Sequence, residues 1–277
     1  MLTLLLALLM PAPPTGVEVV RRYHGVNASQ GVAVDERSFY GVSNSAIDRF
    51  DKRTGARIAQ WKGDPARYPH LNACVVITRE LVCAGSNYPS LPMRSRVEVF
   101  DPDTLTPKRT ITLDKAPGSI TWIDRHDGHW WAGFANYDGR GGQPGRDHSF
   151  TALVEYDDAW RPVAQWSFPK SVLDRMAPYS TSGGGFGDDG LIYATGHDLP
   201  EIYGLRAPKG GGQLELVATL PMAVNGQAVA WDHGQDRVLY GISRATGDVV
   251  VMRVAQITTS NAPIIPAKAG SQVKSIP

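Results

Sequence analysis

Five times along the chain a short apolar run ends on a polar residue. It appears first as Phe39-Tyr40-Gly41-Val42-Ser43-Asn44, then as Val82-Cys83-Ala84-Gly85-Ser86-Asn87. It returns as Trp131-Ala132-Gly133-Phe134-Ala135-Asn136, as Ile192-Tyr193-Ala194-Thr195-Gly196-His197, and as Leu239-Tyr240-Gly241-Ile242-Ser243-Arg244. The stops recur at intervals of roughly 40–60 residues, the scale of one four-stranded propeller blade. Further alternating runs follow them, such as Ile47 to Asp51 with Arg57 to Trp61, and Leu153 to Asp157 with Pro162 to Trp166. The tripeptide Ala-Gln-Trp closes both of these units. Alternation broken by Asp, Gly and Pro predicts antiparallel strands joined by tight turns.

Each unit also has a strand before its stop: Gly31 to Asp35, Asn72 to Ile77, Ser119 to Asp124, Gly184 to Gly187 and Gln227 to Asp232. The pattern therefore predicts an all-β fold, a single five-bladed β-propeller over residues 17–256. The fifth unit lacks a fourth strand after Val249 to Val254. Val17 to Tyr23 is strand-like and is expected to fill that place, closing the ring and removing an open sheet edge. The one short helical turn expected lies at Ser171 to Met176.

The two ends differ from this pattern. Residues 1–16 read as a signal-peptide-like segment: Leu2, Leu4, Leu5, Leu6, Leu8 and Leu9 precede Pro11-Ala12-Pro13-Pro14. The run is shorter than the ~20 residues a spanning helix needs, so no integral membrane span is expected. No basic residue precedes it. The reading is export to the periplasm or secretion. Residues 257–277 read as a disordered tail, rich in Pro, Ala, Ser and Lys without alternation. Within it, Ile265 to Gln272 resembles the translation of an interspersed bacterial DNA repeat.

A net charge of +1 gives no electrostatic case for nucleic acid or an acidic membrane surface. Cys74 and Cys83 are the only cysteines. If Thr78-Arg79 is a two-residue turn, they fall opposite one another at a non-hydrogen-bonded position, where side chains come closest. That register permits a disulfide in an oxidising compartment. A one-residue change in the loop sends them to opposite faces as buried thiols.

In a propeller, the loops entering first strands share a face with those joining second and third strands. That face receives His24, Asn27, Gln30, His70, Asn72, Ser119, Tyr179, Ser182 and Gln227 from the entering loops. The other loops bring Asn44, Asn87, Tyr88, Arg94, Asn136, Tyr137, Arg140, Arg146, His197, Asp198, Glu201 and Arg244. Three long loops, Gly85 to Ser95, Asn136 to Ser149 and Phe168 to Gly185, lie there too, as binding loops often do. Asp35, Asp124, Asp188, Asp189 and Asp232 fall on the opposite face, where tight turns need Asp. The heads of the first strands carry no acid, which disfavours a two-carboxylate hydrolase or a tight calcium site. His70 and His197, with His24 as a third candidate, leave three roles open: proton transfer, a transition-metal site, or structural hydrogen bonding. Arginines on this face suit a carboxylate.

One resemblance follows from the combination of His70-Leu71-Asn72, Ser86-Asn87-Tyr88-Pro89, Thr121-Trp122-Ile123-Asp124, Gly141-Gly142-Gln143-Pro144-Gly145-Arg146, Ser182-Gly183-Gly184, Thr195-Gly196-His197-Asp198 and Gly226-Gln227 with Ala230-Trp231-Asp232. Over Val17 to Val254 the chain resembles bacterial exported propeller proteins labelled cycloisomerase-like or quinoprotein-like, relatives of lactonase-type propellers. The resemblance implies a lactonase or cycloisomerase type of reaction, but no catalytic motif carries over residue by residue, and a fold does not fix a function.

The expected function is binding of a small polar, anionic molecule at the channel mouth. His70 and His197 are the catalytic candidates. The ligand-binding candidates are Gln30, Asn44, Asn72, Asn87, Arg94, Ser119, Asn136, Arg140, Ser182, Gln227 and Arg244. The alternative is a non-catalytic propeller that recognises a glycan or a partner protein. The residues name no cofactor and leave metal binding and oligomeric state open.

Overall fold

A computed structural model describes residues 16–257. The leader-like segment up to residue 15 and the tail from residue 258 lie outside the described residues. Strand β1 (Val17–Tyr23) precedes the first blade, β2 (Gly31–Val34), β3 (Ser38–Ser43), β4 (Ala46–Asp51) and β5 (Arg57–Lys62). The second blade is β6 (His70–Ile77), β7 (Glu80–Ser86), β8 (Ser95–Phe100) and β9 (Pro107–Leu113). The third is β10 (Ser119–His126), β11 (His129–Ala135), β12 (Ala152–Tyr156) and β13 (Pro162–Ser167). Helix α1 (Lys170–Met176) leads to the fourth blade, β14 (Gly183–Phe186), β15 (Ile192–Thr195), β16 (Glu201–Arg206) and β18 (Glu215–Pro221). The two-residue β17 (Gly212–Gln213) instead pairs in parallel with β13 of the third blade, an extension that the alternation did not predict. The fifth blade is β19 (Val229–Asp232), β20 (Val238–Ser243) and β21 (Asp248–Val254), completed by β1.

The closure runs antiparallel from Val17 opposite Val254 to Tyr23 opposite Val249. It places Tyr23 against Phe39 of the first blade, with ring centroids 4.3 Å apart. The inner strands meet in a ring: β2 touches β6, β6 touches β10, β10 touches β14, β14 touches β19, and β19 returns to β2. The fold is a five-bladed β-propeller. Five apolar clusters hold it together, one between each pair of adjacent blades. Ile257, assigned by sequence to the tail, packs against the cluster between blades four and five.

The repeated Ala-Gln-Trp has a packing role. Each Trp ends an outer strand and turns onto the next blade: Trp61 meets Phe100 edge-on, and Trp166 donates from Nε1 to the Pro208 carbonyl at 2.8 Å. Close approach sets the inner ring. A Cβ on Gly183 would stand 2.5 Å from the Gln227 carbonyl oxygen and 2.6 Å from the Ala228 Cα, so only glycine lets β14 lie against the loop entering β19.

The Cys74–Cys83 disulfide is formed. Thr78 and Arg79 both have positive φ, 45° and 62°, as a two-residue primed hairpin turn requires. That turn pairs Ile77 with Glu80 and sets Cys74 opposite Cys83. The opposite-face aspartates serve turns and blade contacts. Asp35 accepts from the Ser38 amide at 2.6 Å and the Tyr40 hydroxyl at 2.6 Å, and Asp232 from Lys52 Nζ at 2.7 Å.

Candidate functional site

The first strands begin at the channel mouth, and their heads surround a cavity of about 600 Å3. Gln30, His70, Asn72, Ser182 and Gln227 reach it from the entering side, and Asn44, His197 and Arg244 from the loops after second strands. The long loops build its walls. Tyr88 and Pro89 come from the first, Tyr137, Gly139 and Arg140 from the second, and Pro178 with Tyr179 from the third. Thr121 from β10 and Pro69, just before β6, complete the lining. Among the described residues the wall carries two arginines and two histidines and no carboxylate.

His70 holds a defined tautomer. Its Nδ1 lies 2.9 Å from Asn44 Oδ1, an acceptor, so Nδ1 carries the proton and Nε2 the lone pair. Among the described residues Nε2 makes no hydrogen bond. Burial, and then the nearby Arg244 cation, push the imidazole down to about 4, so the ring is neutral at ordinary pH. Its face rests 5.0 Å from the Tyr88 ring, and Tyr88 meets Tyr137 edge-on at 5.1 Å. Burial, and then Tyr88, raise the Tyr137 phenol, which therefore stays protonated.

His197 differs. Both its ring nitrogens are engaged, Nδ1 with the Asp198 carboxylate and Nε2 with Arg244 Nη1, which donates at 2.8 Å. The ring stacks on Tyr179 with centroids 4.1 Å apart. The chain Asp198–His197–Arg244 thus crosses from the fourth blade to the fifth and fixes the guanidinium at the cavity wall. Gln227 supports it, donating from Nε2 to the His197 carbonyl at 2.9 Å. The Gln227 backbone is in the left-handed region, φ 69°, a strained conformation of the kind that collects at binding sites. Asn72 is buried and donates to the Ile120 carbonyl at 3.0 Å.

Four sequence candidates lie outside the cavity. Asn136 is fully buried and its Nδ2 ties the carbonyls of Pro117 (3.1 Å) and Phe150 (3.0 Å), anchoring the long loop rather than facing the channel. Ser119 is buried among the packed strand ends. Asn87 binds its own loop, donating to the Pro92 carbonyl and accepting from the Arg94 amide at 2.7 Å. Arg94, near the end of that loop, is exposed and does not line the cavity. His24 pairs with Asp248 at 3.0 Å on the outside, so the three histidines do not converge. Glu201 is buried against Arg175 and the Tyr203 hydroxyl, which removes it from the cavity. Among the described residues the one grouping of metal-type ligands is Asp138, Asp147 and His148 on the second long loop. There His148 already bonds Asp138, and Asp147 caps the 3-10 turn at His148–Phe150.

Tyr88, Tyr137 and Tyr179, which the sequence puts on this face but not among the ligand-binding candidates, line the cavity. Their signal was present: each stands in one of the three long loops, at its start in Tyr88 and Tyr137.

No family model and no curated protein matches the chain. Among solved structures, it is similar to the PQQ-bound form of the aldose sugar dehydrogenase of Streptomyces coelicolor, at 13% identity over 88% of this chain and 100% of that one, with a TM-score of 0.50. It is also similar to a luciferin-regenerating enzyme at 11% identity, over 89% and 96% of the two chains, with a TM-score of 0.49. The first likeness shows a shared β-propeller fold. It does not single out the cycloisomerase-like group that the sequence resembles.

Proposed function

We propose that the chain binds a small, polar, anionic molecule in the cavity at the channel mouth. The observation that carries this reading is the charge of the wall: Arg140 and Arg244 line it, and no carboxylate does. Arginine stays protonated and presents a planar fork that matches a carboxylate. Arg244 is pre-positioned by His197, which lowers the ordering cost of binding. The neutral amides and hydroxyls around it suit a polar ligand. A concave site of this volume favours a small molecule over a partner protein. We place the protein in an oxidising compartment, periplasmic or secreted, and the buried Cys74–Cys83 disulfide supports that placement.

A lactonase or cycloisomerase reaction is the second reading, and one observation favours it. His70 keeps Nε2 free beside the arginine that would hold a carboxylate. His197 would then act by holding Arg244 rather than by moving a proton.

Calorimetric titration with succinate, malate and gluconate, each against its neutral amide, tests the binding reading. The acids should bind and the amides should not. A hydrogen bond to a charged group contributes ~1.5–3 kcal/mol, so Arg244→Gln should weaken the acids by about 10–100-fold. Equal binding of acid and amide contradicts the proposal. Release of acid from small lactones, lost in His70→Gln, would establish turnover.

A further inference from the structure

The cavity does not end at Arg244. A second cavity of about 650 Å3 adjoins it between the fourth and fifth blades. The two share His197, Gln227 and Arg244, so the hydrogen-bonded Arg244–His197 pair divides an inner lobe from an outer one. Each lobe alone has the size of a small-molecule site. A single small acid fills one of them and leaves the other to water.

The linings differ in chemistry. The inner lobe combines tyrosine rings with the amides of Asn72 and Gln227 and the hydroxyls of Thr121 and Ser182. A saccharide presents C–H groups on its ring faces and hydroxyls around its edge, and aromatic faces and amides suit these respectively. The outer lobe is lined by the small apolar side chains of Ala223, Val224 and Ala245, with Asn225 and Ser243 as polar contacts. It also holds Asp198, whose half-exposed carboxylate accepts hydroxyl hydrogens and repels a second acid. The backbone between the lobes is strained at Gln227, a non-glycine residue at φ 69°. Such strain persists where the surroundings over-determine it, and it clusters at ligand clamps.

We infer that the two lobes together bind an acidic saccharide of at least two units: a uronate in the inner lobe with its carboxylate on Arg244, linked to a neutral sugar in the outer lobe. This rests on the anion-binding reading above and names the ligand class. The juxtaposition of one guanidinium at the divide, an acid-free well and an acid-bearing outer lobe sets the order of charged and neutral units.

Calorimetry on the full chain tests it with three probes: glucuronate, the aldobiuronic acid glucuronosyl-xylose, and digalacturonate. Glucuronosyl-xylose should bind at least tenfold tighter than glucuronate and tighter than digalacturonate. Ala245 is exposed in the β20–β21 turn, so Ala245→Trp fills the outer lobe without entering the core. It should abolish the tenfold advantage and leave glucuronate affinity unchanged. Asn225→Ala, a milder change, should reduce the advantage in the same direction. Equal affinity for glucuronate and glucuronosyl-xylose overturns the two-unit assignment, as does preference for digalacturonate. If the saccharides fail while succinate still binds in an Arg244-dependent way, the ligand class falls and the anion site stands. If no carboxylate binds, both fall.

Discussion

Gly183→Ala probes the packing that creates the site. Gly183 heads β14 and is buried, and an added methyl would meet the Gln227 carbonyl oxygen at 2.5 Å and the Ala228 Cα at 2.6 Å. Both are backbone atoms, so no rotamer change relieves the contact, and the inner ring must open. Overpacking of this kind costs ~1–3 kcal/mol. The lost glycine flexibility of the unfolded chain offsets ~0.4–1 kcal/mol of that. The net destabilisation is about 1–2 kcal/mol, a fall in Tm of roughly 2–8 °C for a domain of this size. The control is Gly139→Ala. Gly139 stands at the cavity rim with no atom within 4 Å of its added methyl, and its Tm should hold or rise slightly. Differential scanning fluorimetry on both variants reads the contrast. A Gly183→Ala variant that melts at or above the wild type would contradict this close packing at β14.

Three further outcomes follow from the fold. Tyr23→Ala should cost ~3–5 kcal/mol in denaturant titration, because the ring is buried against Phe39 and Tyr240 at the closure between the fifth and first blades. A cost under ~1 kcal/mol would mean that β1 contributes little to holding the ring shut. Replacing Cys74 and Cys83 together by Ala opens a loop of sequence separation 9 and should lower stability by about 2–3 kcal/mol; an unchanged midpoint contradicts this. His70 titrates at about 4 in the fold against 6.5 as an ordinary value, so the folded state binds fewer protons than the unfolded chain between those pH values. Stability should therefore fall as pH drops through that window, and His70→Asn should remove part of the fall. Identical pH profiles for the two proteins would contradict the assignment.

The ring was legible because a blade is a local pattern. Alternation places one face of each strand in a blade interface, and the apolar-to-polar stop marks where the strand leaves it. The missing fourth strand of the last unit pointed to Val17–Tyr23 for the same reason. The strand at Gly212–Gln213 was not legible: two residues in a glycine run carry no alternation, and only the neighbouring β13 makes them a strand. The repeat also brought Gln30, His70, Asn72, Ser182 and Gln227 to one cavity, since equivalent strand heads share an end of the channel. It misplaced Asn136 at an equivalent stop, because the long loop after it folds back and claims its amide. The long loops placed Tyr88 and Tyr137 on the site's face, but their contacts with each other and with His70 were not legible, because no local pattern encodes them. The engagement of His197 Nε2 was not legible either, because its partner Arg244 is a residue of the next blade.

Anion binding at Arg244 in the channel-mouth cavity is open to direct observation. Diffraction from crystals soaked in bromosuccinate, with data collected at the bromine absorption edge, tests it most directly. One anomalous peak should appear inside the cavity, with a carboxylate on Arg244, and no such peak in Arg244→Gln crystals. Bromine density only on the outer blade surfaces, with an unaltered cavity, would contradict it.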